Sequence, residues 1–349
     1  MARTDFYPLT VAAVEALTDD AAAVSFQVPA ALRDTFRFKP GQSLTLRRGA
    51  ERRSYSICAP AGHAPRIGVR EVAGGAVSGW LVRQVRPGDV VDVQAPAGSF
   101  TPDLSEPGHH VLIAAGSGIT PVLSIAASVL QAHRGATVTL LYGNRRAASV
   151  MFADEVADLK DAHPDRMQLV HVLSREAQEV GLYAGRLDAG KLRALLPVTV
   201  DVPAVAHWWL CGPFGMVAGA IDVLTGLGVR RDQIHRELFY VGDEPPEEVR
   251  HAEAAPGTGA EVTVVLDGRS TTLTIPPGVP VLDGAQHARA DLPFACKGGV
   301  CGTCRALVTQ GQITMRRNYA LEDSELAAGY VLTCQSLPAT GTVTVDYDT

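Results

Sequence analysis

Apolar and polar positions change rhythm twice along the chain of 349 residues. From Tyr7 to Phe100 they form short β-type runs, Leu9 to Val14, Ala23 to Val28, Ser43 to Leu46, Arg53 to Cys58, Arg66 to Val72 and Val90 to Gln94, parted by Pro, Gly and polar turns. Many short strands with turn signals between them predict an antiparallel β-barrel or sandwich. From His109 to Phe239 apolar runs (Val111 to Ala115, Thr137 to Tyr142, Met167 to Leu173, Ala206 to Cys211) alternate with helix-like stretches. That alternation predicts a doubly wound α/β domain on a parallel sheet. Residues 241–258 carry three prolines and five carboxylates without an apolar period, too little to bury, and are expected to be an extended linker. Beyond them, Val262 to Leu266 and Thr271 to Ile275 flank Asp267-Gly268, a hairpin signature that opens a last small unit. The expected organisation is multidomain: a β-barrel over 1–105, an α/β domain over 106–240, the linker, and a compact unit over 259–349.

Composition narrows the class. With 46% hydrophobic and 19% charged residues the chain is globular, and no run reaches the length of a membrane span. The first twenty residues show no apolar core behind a basic head, so the expected location is cytoplasmic. A net charge of −6 without a basic block excludes a nucleic-acid binder and suits a small-molecule enzyme or a partner with a basic docking patch. Four of the six cysteines crowd into the last fifth of the chain, which is not the layout of a secreted disulfide framework.

Those four follow the spacing Cys296-x4-Cys301-x2-Cys304, with Cys334 twenty-nine intervening residues further on. This is the pattern that holds a [2Fe–2S] cluster, three thiolates from one loop and a fourth from a distant segment. Gly298, Gly299 and Gly302 let the loop curl and turn amide N–H groups toward anionic sulfur. A structural zinc site is the alternative. It usually shows two C-x2-C arms, of which one is present here. The corresponding non-enzymatic reading is a zinc-bound interaction module on a degenerate nucleotide-binding scaffold.

A buried-type strand, Val111 to Ala115, runs into Gly116-Ser117-Gly118-Ile119-Thr120-Pro121. Glycines at such a turn admit a pyrophosphate, and the helix that follows presents its free N–H groups and positive dipole end. Thr120 is the expected N-cap and Pro121 the first helical residue. Pro121 replaces the third glycine of the usual dinucleotide fingerprint, and no acidic residue closes the second strand. Asn144-Arg145 and, after the third strand, Ser174-Arg175 stand at strand ends where they suit a 2′-phosphate, so NADPH is expected, with NADH the alternative. Cys211 ends an apolar strand before Gly212-Pro213, at the sheet edge where ligands bind. A nicotinamide delivers two electrons and a [2Fe–2S] cluster takes one, so a flavin is required between them. In the barrel segment, alternation puts Arg53 and Tyr55 on one strand face and Ser54 and Ser56 on the other.

The series Arg53-Ser54-Tyr55-Ser56, GSGITP, YGNR, SR and CGP resembles the ferredoxin-NADP reductase family, and the last ninety or so residues resemble a plant-type [2Fe–2S] ferredoxin. The resemblance implies a β-grasp (α+β) fold for the C-terminal unit, with Cys296, Cys301, Cys304 and Cys334 as cluster ligands. It implies FAD in the barrel, with FMN the alternative: Arg53 on the pyrophosphate, Tyr55 stacked on the isoalloxazine, Ser56 near its reactive nitrogen, and Gly75 and Ser78 on phosphate. Cys211, Gly212 and Pro213 then lie against the nicotinamide, with Glu237 and Phe239 near both rings. YSIC at Tyr55 to Cys58, AAGSGITP at Ala114 to Pro121, LPFACKGGVCGTC at Leu292 to Cys304 and ELAAGYVLTCQ at Glu325 to Gln335 are similar to the reductase components of phenylacetyl-CoA epoxidase systems. Arg175 departs from that pattern. The implied path runs from NADPH through FAD and the cluster to a separate oxygenase, a di-iron enzyme that epoxidises the phenylacetyl-CoA ring. Another hydroxylase, a desaturase or a hybrid-cluster protein are alternative acceptors, and the linker is expected to let the ferredoxin unit swing between flavin and partner.

Overall fold

A computed structural model describes residues 5–49, 51–240 and 259–349. The expected linker over 241–258 lies outside the described residues. The chain divides into two compact units, one of Phe6–Tyr240 and one that contains the C-terminal residues.

In the first unit, strands β1 (Phe6–Thr18), β2 (Ala21–Gln27), β3 (Ser43–Arg48), β4 (Glu51–Ser56), β5 (Arg66–Arg70) and β6 (Val90–Gln94) form an antiparallel sheet in the order β4-β3-β6-β1-β2-β5. A bridge between Ile57 and Ile67 joins the two outer strands, so the sheet closes into a barrel. Inward positions Leu9, Val24, Phe26, Leu44, Leu46, Ile67, Val91 and Val93 fill it, together with Val77 and Leu81 of helix α1 (Ala76–Arg83).

The same unit continues with β7 (His109–Ala115), β8 (Thr137–Asn144), β9 (Met167–Leu173), β10 (Val205–Pro213) and β11 (Ile234–Tyr240), all parallel in the order β11-β10-β7-β8-β9. Helices α2 (Ile119–Ala132), α3 (Ala153–Ala162), α4 (Ala189–Thr199) and α5 (Phe214–Gly226) connect them. The strand order reverses between β7 and β10, the place where an open α/β sheet offers a crevice at its carboxyl edge. One expectation is corrected there. Thr120 does not cap α2: a 3₁₀ turn over Gly116–Gly118 has already begun the winding, so Gly118 is the cap and Pro121 the third helical residue. Strand β10 also continues through Gly212 and Pro213 rather than ending at Cys211.

The second unit contains β12 (Ala260–Leu266), β13 (Arg269–Ile275), β14 (Arg305–Gln310), β15 (Ile313–Met315), β16 (Tyr330–Leu332), β17 (Ser336–Pro338) and β18 (Thr342–Asp346), with helices α6 (Val281–Gln286) and α7 (Asp323–Ala327). A mixed sheet in the order β13-β12-β18-β14-β16, with β12 and β18 parallel, is accompanied by the ribbon β15-β17. Val281, Leu282 and Ala285 of α6 pack against the sheet, giving a β-grasp arrangement. In the first hairpin Asp267 and Gly268 both have positive φ, 53° and 68°, as a two-residue type I′ turn requires. The Asp348 carboxylate accepts both of their N–H groups, at 2.7 and 2.8 Å.

Candidate functional site

The four thiols meet because of strand register. Cys304 immediately precedes β14 and Cys334 follows β16, and the pairing of Arg305 with Leu332 draws those two ends together. Thr333 strengthens the join, since its N–H and its hydroxyl both donate to the Cys304 carbonyl, at 3.1 and 2.9 Å, while Tyr347 donates to that hydroxyl at 2.7 Å. In the loop, Gly299 and Gly302 adopt positive φ, and the N–H groups of Gly298 and Val300 donate to Cys296 Sγ at 3.3 and 3.4 Å. A hydrogen bond from the Cys301 thiol, reinforced by those backbone donors, brings Cys296 down to about 5. The same contact pushes Cys301 up, and the Cys334 contact pushes up Cys304. The thiols are thus set as two pairs, Cys296 with Cys301 and Cys304 with Cys334. Among the described residues no group of three or more His, Cys, Asp or Glu is arranged for a single metal ion. Two adjacent thiol pairs suit the two irons of a [2Fe–2S] cluster, one pair per iron.

A second convergence lies in the first unit. Cys211 on β10 is paired in register with Ala114 of β7 on one side and with Glu237 of β11 on the other. Ser56, at the end of barrel strand β4, donates to Glu237 Oε2 at 3.2 Å, and Cys211 Sγ stands 4.0 Å from the same oxygen. Although Glu237 retains partial surface as a residue, its carboxyl is desolvated, and burial raises it to about 7 against the opposing pull of the Ser56 hydroxyl. Burial and the neighbouring Glu237 raise the Cys211 thiol. Burial thus favours the protonated form of a carboxyl that stands between the barrel and the carboxyl edge of the parallel sheet. Phe239, 36% exposed, is the penultimate residue of the same strand.

Around this point, Tyr55 is half-buried against the barrel core, and burial raises its hydroxyl. Arg53 is exposed, paired with Glu51 at 2.9 Å and bonded to the Arg52 carbonyl at 2.7 Å. Gly75 caps α1 without a side-chain bond, so first-turn N–H groups remain for an anion. Ser78 is buried and folds that loop on itself, accepting from Val72 N at 3.1 Å and donating to Gly75 O at 3.3 Å. A side chain at Gly75 would stand 2.6 Å from that hydroxyl, so the cradle requires glycine. This uncapped turn beside an arginine-bearing strand fits a flavin diphosphate.

The nucleotide turn is equally close-fitted. Gly116 has φ 55°, and a Cβ on Gly118 would collide with the Cys211 carbonyl, so the ends of β7 and β10 touch here. Thr120 Oγ1 donates back to Ser117 O at 2.9 Å. Pro213 precedes α5 as its cap. Asn144 is buried at the carboxyl end of β8 with both amide atoms unpartnered, which leaves two polar atoms to be satisfied at the edge where a nucleotide binds. Ser174 N donates to Asn144 O at 2.9 Å and Arg175 N to Arg145 O at 2.8 Å, so the two exposed arginines rise from adjoining strand ends. Glu176 stands in the same loop and accepts Ala147 N at 2.8 Å. The sequence patterns missed Arg70. It leaves the barrel on β5, donates to Ser149 O at 2.7 Å, and places Nη1 3.2 Å from where a Gly116 side chain would begin. Its only signal in the sequence was a basic residue inside the Arg66 to Val72 run.

Fold and site together define a flavin-dependent pyridine-nucleotide reductase with its own iron–sulfur module. Residues 8–101 match the oxidoreductase FAD-binding domain, 112–222 the oxidoreductase NAD-binding domain and 264–339 the 2Fe-2S iron-sulfur cluster binding domain. The chain is 41% identical to one of the subunits of the 1,2-phenylacetyl-CoA epoxidase from Escherichia coli (strain K12), covering 99% of this chain and 98% of that one. It is 35% identical to the 3-ketosteroid-9-alpha-monooxygenase ferredoxin reductase component of Mycobacterium tuberculosis (strain ATCC 25618 / H37Rv), covering 97% and 95%. Phthalate dioxygenase reductase shares the fold at 22% identity, with a TM-score of 0.61 over 98% of both chains. The chain belongs to this family of oxygenase reductase components, which carry electrons from a pyridine nucleotide through FAD to a [2Fe–2S] cluster. No helix among the described residues is long and apolar enough to cross a membrane.

Proposed function

We propose that this reductase takes electrons from NADPH and serves a separate di-iron oxygenase that epoxidises phenylacetyl-CoA, in the cytoplasm. Identity of 41% along nearly the whole of both chains to a phenylacetyl-CoA epoxidase component supports the acceptor. The observation that carries the chemistry is the meeting of Ser56, Cys211 and Glu237 at one carboxylate oxygen. When bound, FAD accepts the electron pair of the nicotinamide and releases electrons singly to the cluster. Arg53 and the first turn of α1, opened by Gly75 and shaped by Ser78, hold the flavin diphosphate, and Tyr55 lies against the ring system. Ser56 and Glu237 hold a proton beside it. Gly116, Gly118, Thr120 and Pro121 cradle the nucleotide pyrophosphate with Arg70, while Cys211, Gly212 and Pro213 border the nicotinamide and Phe239 covers its edge. Asn144, Arg145, Ser174 and Arg175 take the adenosine end, the two arginines matching a 2′-phosphate. Glu176 in the same loop favours the second reading, NADH, because its charge opposes that phosphate. The domains run as 1–105, 106–240 and 259–349, with Cys296, Cys301, Cys304 and Cys334 on the cluster.

Anaerobic mixing with NADPH and with NADH in parallel, followed by turnover with purified phenylacetyl-CoA oxygenase, tests the proposal. The expected result is faster flavin bleaching by NADPH and oxygenated product only when both proteins are present. Flavin reduction without product in that mixture overturns the acceptor, and equal or faster reduction by NADH overturns the coenzyme.

A further inference from the structure

Gln335 follows the fourth cluster cysteine, is 9% exposed, and reaches back to the loop that carries the other three. Its Nε2 lies 2.8 Å from the Lys297 carbonyl and 3.7 Å from Cys334 Sγ. Both partners are acceptors, so the amide must present its nitrogen on this side, and its two hydrogens serve one partner each. Lys297 has φ 52°, and the N–H groups just after it, on Gly298 and Val300, donate to Cys296 Sγ. The side chain is seated as well as bonded, since a Cβ on Gly299 would come within 3.0 Å of its Cγ. Its backbone is fixed on both sides, donating to Leu332 O at 2.8 Å and accepting from Arg316 N at 2.9 Å. One amide thus links the turn that feeds donors to Cys296 with the sulfur of Cys334, a member of each thiol pair.

We infer that Gln335 is a positioning residue for the cluster, whose amide locks the Lys297 turn and tunes the reduction potential through its bond to the Cys334 sulfur. The role rests on the four cysteines holding a [2Fe–2S] cluster. Reduction adds one electron and makes the sulfurs more negative, so a donor to sulfur stabilises the reduced state and raises the potential. Gln335→Met keeps the length of the side chain and removes the donor; Gln335→Glu replaces the donor with an acceptor.

The test is an anaerobic redox titration of the cluster-loaded full chain, followed by the electron paramagnetic resonance spectrum of the reduced cluster. Gln335→Met is expected to shift the reduction equilibrium toward the oxidised form by about three- to tenfold, tenfold being about 59 mV for a one-electron couple. Gln335→Glu shifts it further in the same direction, and both alter the spectrum. Unchanged potential and spectrum at full cluster content overturn the role. If the variants fail to load, wild-type protein labelled with 15N in its glutamine amides decides: nitrogen hyperfine coupling to the reduced cluster supports the bond, and its absence overturns it. A wild-type chain that binds no cluster overturns the cofactor reading itself, and this role with it.

Discussion

Three of the four cluster cysteines fall within the nine residues from Cys296 to Cys304, whereas Ser56 and Glu237, bonded to one another, are 181 residues apart. In the cluster loop, spacing and backbone curl do most of the placing, and a single register, Arg305 opposite Leu332, brings in Cys334. In the other corner nothing local places anything. Cys211 and Glu237 are neighbours only because β10 and β11 pair in parallel, and Ser56 joins them from a different sheet. A site written into one loop depends on each of its ligands, while a site assembled by sheet topology tolerates loss of a functional group with its scaffold intact.

Substitution at the fourth ligand is the harshest way to break that contrast. Cys334→Ser removes one thiolate of a pair and is expected to abolish a stable cluster, with electron delivery to the oxygenase falling to background. Reduction of ferricyanide by NAD(P)H continues, because the corner around Glu237 belongs to the other compact unit. Iron content, visible absorption and the two assays check this. Loss of ferricyanide reduction as well would show that the two regions depend on one another.

Glu237→Gln is milder. It keeps the volume and a partner for Ser56 but cannot give up or take a proton, so flavin reduction by the nucleotide is expected to slow by about a hundredfold in stopped-flow. The raised carboxyl adds a sign. Folded Glu237 titrates at about 7 against an ordinary 4.5, so between those values the folded chain holds a proton that the unfolded chain has released. The stability this gives is full below 4.5 and is lost as the pH climbs through 7. Discounted for partial exposure, the loss is on the order of 2 kcal/mol. Tm measured from pH 5 to 8 is therefore expected to fall more steeply in the wild type than in Glu237→Gln, and parallel curves would remove the carboxyl from the account.

The same contrast explains what could be seen in the sequence. Cys spacing, the Gly116 turn and the Asp267-Gly268 hairpin were legible because each is a local solution to a local demand. Glu237 was placed near both rings only by the family resemblance, with no bonding partner, and Arg70 lay unremarked inside the Arg66 to Val72 run, because their significance comes from neighbours on other segments. Thr333 and Gln335 lie in the quoted run around Cys334, but nothing in it assigned them a bond, and Tyr347 had no motif at all: their bonds span 29, 38 and 14 residues. The misplaced cap at Thr120 has a local cause, since the 3₁₀ turn over Gly116–Gly118 took over the start of the helix. Asn144 was singled out by position, but its two buried, unpartnered amide atoms follow from the packing around the end of β8.

Lys297→Gly gives the smallest effect and the sharpest test of how the loop holds its shape. Lysine at φ 52° costs about 1–2 kcal/mol relative to glycine, which adopts that conformation freely. Against this, Nζ bonds to Asp283 at 2.9 Å and Gln286 at 2.7 Å and lies 5.0 Å from the centre of the Phe294 ring. A partly exposed ion pair is worth about 0–1 kcal/mol and an exposed cation–π contact about 0.5–1. The terms cancel to within about 1 kcal/mol, so calorimetry of the cluster-loaded chain is expected to show a shift in Tm of no more than about 8 °C, in either direction. The Lys297 carbonyl survives the change and still accepts from Gln335, so the turn keeps its brace. A loss above about 2 kcal/mol would mean that the lysine side chain, and not the thiols and Gln335, holds the loop. Gly118 is the counterpart in the other region: there the backbone conformation is ordinary and the demand for glycine comes from the Cys211 carbonyl pressed against it, a constraint set by sheet topology rather than by the turn.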